Sequence, residues 1–391
     1  MKKKIALILA AVMVCSSFIA GCGKKDSSGG DTSSTNDSDV IKIGVFEPLT
    51  GANAGGGALE LEGIKLANKL YPEVLGKKVE LVIADNKSEK VEAANAASKL
   101  VEKDKVTAIV GSWGSSLSMA AGDIVKNAKI PAIGTSCTNP LVTEGNEYYF
   151  RVCFIDPFQG TVMANYAYNK LGAKKVAIVQ EVSSDYAIGL AKYFTDSFKK
   201  LTGDDKSIVE VANYNTGDQD FTAQLTNIKA KNPDVIFAPG NFTESALVIK
   251  QARELGIECP IIGGDTWETP EFITIGGNAV EGATFSTFFA TEKPITTESE
   301  KFLEEFRKEY NKEPAAVSAL GYDAYLILIK ALEQQGDTDS VKLRDTLANM
   351  KDFEGAAGVV NFDESRNAVK EAVIKEVKDG KFQFLDIVKP N

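Results

Sequence analysis

Asp265 stands directly behind Gly263 and Gly264, and two glycines let a backbone approach a partner closely. A carboxylate there in a closing cleft needs a cation, and an ammonium would supply a charge-assisted hydrogen bond of about 1.5–3 kcal/mol. The alternative for such an aspartate is an ordinary solvated surface acid. Ser115 and Ser116 follow the apolar stretch 107–111 and open a helical pattern. A hydroxyl and backbone N–H at a helix start can hold a carboxylate, with the positive helix end favouring the anion. The same serines can equally cap that helix. Ser136 and Thr138 precede Asn139-Pro140, which is turn chemistry in its own right. Tyr186, in Ser184-Asp185-Tyr186, is either a cleft aromatic or a core residue. The run Gly55-Gly56-Gly57 is not followed by Gly-Lys-Ser/Thr, and Glu60 puts an acid in the next helical turn. It reads as a clearance feature, not a phosphate cradle.

What is missing narrows the chemistry further. The chain of 391 residues has no histidine, which removes Ser-His-Asp and Cys-His pairs, imidazole bases and the commonest transition-metal ligand. No Gly-x-Ser-x-Gly elbow occurs either, so no catalytic residue, cofactor or metal is assigned and the chain is not read as an enzyme. With Lys+Arg 44 against Asp+Glu 54, the net charge is −10 and no basic stripe with aromatics appears. Nucleic acid is therefore not an expected partner.

Elements able to position these residues begin after an unusual N-terminus. Lys2, Lys3 and Lys4 precede the uncharged apolar run 5–20, the pattern of a secretory signal over 1–21. The segment 23–39 contains Ser, Gly, Asp, Thr, Asn and Lys but no hydrophobic residue, so it cannot bury a core and reads as a flexible tether. About 350 residues remain, more than one core usually serves, so two lobes are expected. From 40 onward short apolar strands (41–46, 79–84, 107–111, 129–133) alternate with helical stretches, the pattern of parallel βαβ units. A second series follows, with strands at 175–180, 207–214, 234–238 and 260–262. After the apolar strand 283–289 the alternation stops, giving way to helices at 298–310, 317–334 and 341–350 and then strands at 368–378 and 382–388. Three helices cannot complete a sheet alone, so they are assigned back to the first lobe. The expected partition is a first lobe of 40–157 plus 287–360 and a second of 158–286 plus 361–391, joined by a three-segment hinge. Of the cysteines, Cys137, Cys153 and Cys259 are too scattered for a zinc motif, and buried thiols are favoured over a Cys137–Cys153 disulfide.

This order of tether, doubled βαβ series and three crossings resembles the type I periplasmic binding fold, an α/β architecture of two Rossmann-like lobes. Local strings resemble its branched-chain amino-acid binding branch, which serves ABC importers. They are Ile43-Gly44-Val45 with Pro48-Leu49-Thr50-Gly51, Gly111-Ser112-Trp113-Gly114-Ser115-Ser116, Thr138-Asn139-Pro140, Lys250-Gln251-Ala252-Arg253 and Gly263-Gly264-Asp265. Ile19-Ala20-Gly21-Cys22 is similar to the lipobox of bacterial lipoproteins, which implies acylation of Cys22 and a tethered domain at the cell membrane. The resemblance implies that Ser115 and Thr138 hold a ligand carboxylate, and that the Ser136 carbonyl, Thr138 and Asp265 hold its ammonium. It also places Tyr186, Trp113, Asn241, Trp267 and Gly56 at the lid and side-chain pocket. Here the sequence departs from the pattern. Tyr186-Ala187-Ile188-Gly189 replaces the usual Tyr-Gly, while Gly56 and Asn241 stand where aromatics are frequent. Both latter changes predict a wider or more polar pocket, with Trp267 as a partial refill. The implied function is a monomeric, extracytoplasmic, lipid-anchored binding protein that delivers a small amino acid to an ABC permease. The alternative is a ligand-sensing subunit of a signalling system built on the same fold.

Overall fold

The computed structural model describes residues 40–390. The signal segment, Cys22 and the tether lie outside the described residues. The first series runs β1 (Val40–Glu47), α1 (Ala54–Leu70), β2 (Glu73–Val74), β3 (Lys77–Asp85), α2 (Lys90–Ser98), β4 (Ala108–Val110), α3 (Ser115–Ala128), β5 (Ala132–Gly134) and β6 (Tyr149–Arg151). These strands form one sheet in the order β2-β3-β1-β4-β5-β6. It is parallel apart from the edge pairing of β2 with β3. From Ile43 to Val45 β1 is buried on both faces, because helices cover both sides of the sheet.

The second series runs α4 (Asp156–Asn165), β7 (Val176–Glu181), α5 (Asp185–Thr202), β8 (Ile208–Tyr214), α6 (Thr222–Lys231), β9 (Val235–Phe237), α7 (Phe242–Glu254), β10 (Ile261–Gly263), α8 (Pro270–Gly276) and β11 (Thr284–Thr287). α5 shows why such stretches become helices. Ser184 caps its N-terminus, Leu190, Phe194 and Phe198 fall on one buried face, and Gly203 ends it in the left-handed region. The chain then continues through α9 (Thr297–Tyr310), α10 (Ala316–Gln335), α11 (Ser340–Asn349), a small hairpin β12 (Phe353–Gly355) and β13 (Gly358–Val360), and finally β14 (Ala372–Lys378) and β15 (Lys381–Val388). The second sheet has the order β15-β14-β11-β10-β9-β7-β8, with β14 and β15 antiparallel additions.

Both α9 and α10 pack on α1. The contact with α10 is close because Gly63 and Gly321 remove side chains from it: a Cβ at Gly63 would lie 1.8 Å from the Ser318 carbonyl oxygen, and one at Gly321 2.2 Å from that of Glu60. α10 is buried along most of its length, so its apolar residues do not form a stripe.

Several local expectations need correction. The strand read over 368–378 begins only at Ala372. Asn367 pairs instead with Arg151 of β6, and the Phe362 ring packs 5.3 Å from Phe150, so the chain stays on first-sheet residues past 360. The hairpin β12–β13, the short edge strand β2 and α8 had no counterpart in the sequence reading. Among the described residues no helix is long and apolar enough to cross a membrane. Cys137 and Cys153 are free and buried, and Cys259 is free and partly buried.

Candidate ligand-binding cleft

In an open parallel sheet, neighbouring crossovers run to opposite faces where the strand order reverses, and this opens a crevice at the carboxyl ends of the strands. The first sheet reverses between β1 and β4, and the second between β7 and β9. Loops from both reversals line a single cavity of about 420 Å³, including Ala52, Asn53, Trp113 and Ser115 on one side and Glu181, Ser184, Tyr186 and Asn241 on the other. That volume suits a small metabolite.

Ser115, Ser136, Tyr186, Trp113 and Asn241 all line this cavity. Ser115 is the first residue of α3, and no side chain caps that helix. The Ser115 hydroxyl accepts from the Asn139 N–H at 3.0 Å, which ties two cleft loops together and leaves its own proton to donate. Ser116 reaches across the cleft, donating to Asp185 at 2.8 Å while accepting from the Asp185 N–H at 3.0 Å. The Ser136 hydroxyl donates inward to Glu60, so its offering to the cavity is left to its main chain. Thr138 is fully buried and does not line the cavity, and its hydroxyl faces the Asp156 carboxyl.

Asp265 lies just past β10 with 1% of its surface exposed. One carboxylate oxygen accepts from Gln159 at 2.7 Å and from the Tyr186 hydroxyl at 2.9 Å; the other has no partner. The Tyr186 hydroxyl fits there because residue 264 is glycine: a Cβ would lie 2.2 Å from that oxygen. Burial pushes the Asp265 carboxyl up to about 6. The sequence reading missed Asp156, a second acid beside it. Asp156 is fully buried beside the Thr138 hydroxyl; burial holds its carboxyl well above the usual range, the Thr138 hydrogen bond offsetting part of this and the Asp265 charge adding to it. Asp265, Asp156 and Thr138 thus form a buried acidic cluster behind Ser136, Tyr186 and Thr266, which line the cavity, while none of the three lines it itself. In sequence, Asp156 before Pro157 reads as an unremarkable first-turn acid.

Two more buried groups brace the loops. Arg151 donates to the Cys137 carbonyl, to the Asn139 carbonyl at 2.7 Å and to the Thr143 hydroxyl at 2.9 Å, fixing the turn that carries Thr138. Glu47 accepts from the Trp113 N–H at 2.8 Å, while Glu60 accepts from Thr135 at 2.6 Å and from Ser136. These two carboxyls are hydrogen-bonded to each other. Burial lifts Glu47 well above its usual range and Glu60 to about 7, so the pair retains a proton near neutrality and braces both loops at once. The only sequence signal for Arg151 is a lone cation in an apolar run.

Two expectations for the side-chain pocket fail. Trp267 is fully buried and does not reach the cavity: the turn after β10 folds its indole back over Gly263, where it stacks on Phe272 at 4.9 Å. Nor does Gly56 widen the pocket. The Trp113 ring already occupies the space, since a Cβ on Gly56 would lie 2.3 Å from it. Asn241 lines the cavity, with its amide nitrogen donating to Asn53 of the opposite lobe. Among the described residues no cluster could hold a metal ion.

The sequence profile of the periplasmic binding proteins matches residues 40–381. An amino acid binding protein of Pseudomonas aeruginosa is 32% identical over 79% of this chain and 82% of its own length. The leucine binding protein LivK of Thermotoga maritima is 43% identical with a TM-score of 0.86, covering 90% of this chain and 99% of that one. LivJ of Streptococcus pneumoniae, a branched-chain amino acid transporter substrate binding protein solved with isoleucine, is 37% identical with a TM-score of 0.84, covering 90% of this chain and 100% of that one. The chain belongs to the periplasmic binding protein family, as a substrate-binding protein of the branched-chain amino acid ABC transporter type and not an enzyme.

Proposed function

We propose that the chain captures a free α-amino acid between its two lobes and delivers it to an ABC permease. The observation that carries this reading is the buried Asp265 carboxyl behind the cavity wall, whose second oxygen has no partner and suits an ammonium group. Asp265, the Ser136 carbonyl and Thr138 take the ammonium, with Asp156 as a further acid. The Ser115 hydroxyl and N–H, at the start of α3, take the carboxylate together with Thr138. Ligand atoms then bridge both lobes and favour closure about the three connecting segments near 152–155, 288–296 and 361–371. The chain acts as a monomer held outside the cytoplasm by lipid on Cys22, a reading supported by the residues around that cysteine.

A thermal-shift screen tests this directly, using the α-amino acids with sugars, simple carboxylates and polyamines as controls. A ligand at 100 times its Kd adds about 2.7 kcal/mol of stability. α-Amino acids alone should raise the melting temperature, and Asp265→Ala should abolish the shift. Stabilisation by another ligand class alone would refute the amino-acid assignment.

A further inference from the structure

The far end of the cavity differs from a hydrocarbon slot. The Thr266 hydroxyl donates to the Gly240 carbonyl at 2.7 Å, holding the Asp265 loop and the Asn241 loop side by side at the ends of β10 and β9. Beyond that link stands Asn241, 6% exposed. Its amide nitrogen donates to Asn53 across the cleft, and its backbone N–H donates to Glu181 at 3.2 Å. Its side-chain oxygen is buried and has no donor. Glu181, 4% exposed, lines the same wall and accepts the Thr216 hydroxyl on its other oxygen. Asn53 occupies the N-cap position of α1 yet makes no capping bond there. A residue type that ordinarily caps a helix is committed to orienting Asn241 instead.

This end therefore leaves one acceptor unpaired, and a hydrocarbon side chain placed against it would leave the buried Asn241 oxygen without a donor. A side chain carrying an N–H or O–H would satisfy it. Resting on the amino-acid reading above, we propose that the ligand is an α-amino acid whose side chain ends in a hydrogen-bond donor, a carboxamide or a hydroxyl, and that Asn241 selects it. Sites built to hydrogen-bond a substrate group discriminate strongly against analogues lacking that group.

Calorimetric titration of the whole purified chain with glutamine, asparagine, threonine, serine, leucine, isoleucine and valine tests the inference. At least one polar amino acid should bind tighter than all three hydrocarbon ones by roughly tenfold or more. Asn241→Leu, checked for folding by its melting curve, should shrink or invert that ratio. Leucine, isoleucine or valine binding as tightly as any polar amino acid would overturn the inference while leaving the amino-acid reading intact. Failure of every α-amino acid to bind would overturn both. The wild-type panel decides the matter even if the variant does not fold.

Discussion

The two ends of the cleft are built on different principles. At one end Asp265, Asp156 and Thr138 sit almost wholly out of solvent, and one Asp265 oxygen has no partner. At the other, Asn53, Asn241, Glu181 and Thr216 already bond among themselves and leave a single oxygen over. On the proposed reading the first end recognises what all α-amino acids share, and its buried acids make it costly to change. The second is a network of neutral amides and hydroxyls around one acid, in which single substitutions can retune selectivity. A site divided in this way can keep one capture mechanism while changing its ligand.

The largest expected effect breaks the first end. Asp265→Ala should weaken binding by roughly 10- to 150-fold, the worth of a charge-assisted hydrogen bond of about 1.5–3 kcal/mol, as read by calorimetry. If affinity is unchanged, the ammonium lies elsewhere. A pH titration sharpens the same point. Burial raises the Asp265 carboxyl to about 6, and a ligand ammonium favours the ionised form. The Asp265 contribution to affinity should therefore hold above that pH and fall by about tenfold per unit below it. A flat profile between pH 5 and 8 would remove Asp265 from the site.

The support beneath the first lobe gives the next effect. Glu60 is raised by burial to about 7, above its unfolded value, so folding favours its protonated form. The stability it contributes is complete below the unfolded value, about 4.3, and is lost as pH rises through about 7. The melting temperature of the unliganded protein should accordingly fall over that window, and Glu60→Gln should flatten the fall. Gly56→Ala should cost about 1–3 kcal/mol in denaturant melts, because the Trp113 ring fills that space, and Trp113→Ala should relieve part of the penalty. Smallest is the Lys90–Asp185 ion pair across the cleft at 2.8 Å. Both side chains are well exposed, so Lys90→Ala should change affinity by less than about 1 kcal/mol, seen chiefly as faster release.

Much of this was legible in the sequence because it is local. Period and apolar runs mark the βαβ series, and Gly263-Gly264 before Asp265 marks a close approach. What escaped depends on partners far along the chain. Asp156 and Asp265 are neighbours only once α4 meets the end of β10, and Glu60 reads as part of a polar helix face until Thr135 and Ser136 meet it. Gly56 illustrates the converse: a missing side chain suggests empty space, yet Trp113 supplies the bulk from another loop. Trp267 was misplaced because spacing along the chain does not reveal which way a tight turn throws its last residue.

The most direct test of the ammonium–carboxylate claim compares the tightest-binding amino acid with its α-hydroxy analogue, identical except that a hydroxyl replaces the ammonium. Calorimetry at pH 7.5 should show the amino acid binding by roughly 10- to 150-fold more tightly, with Asp265→Ala removing most of the difference. Equal affinities for the two compounds would contradict the account, since the buried acids would then recognise something other than an amino group.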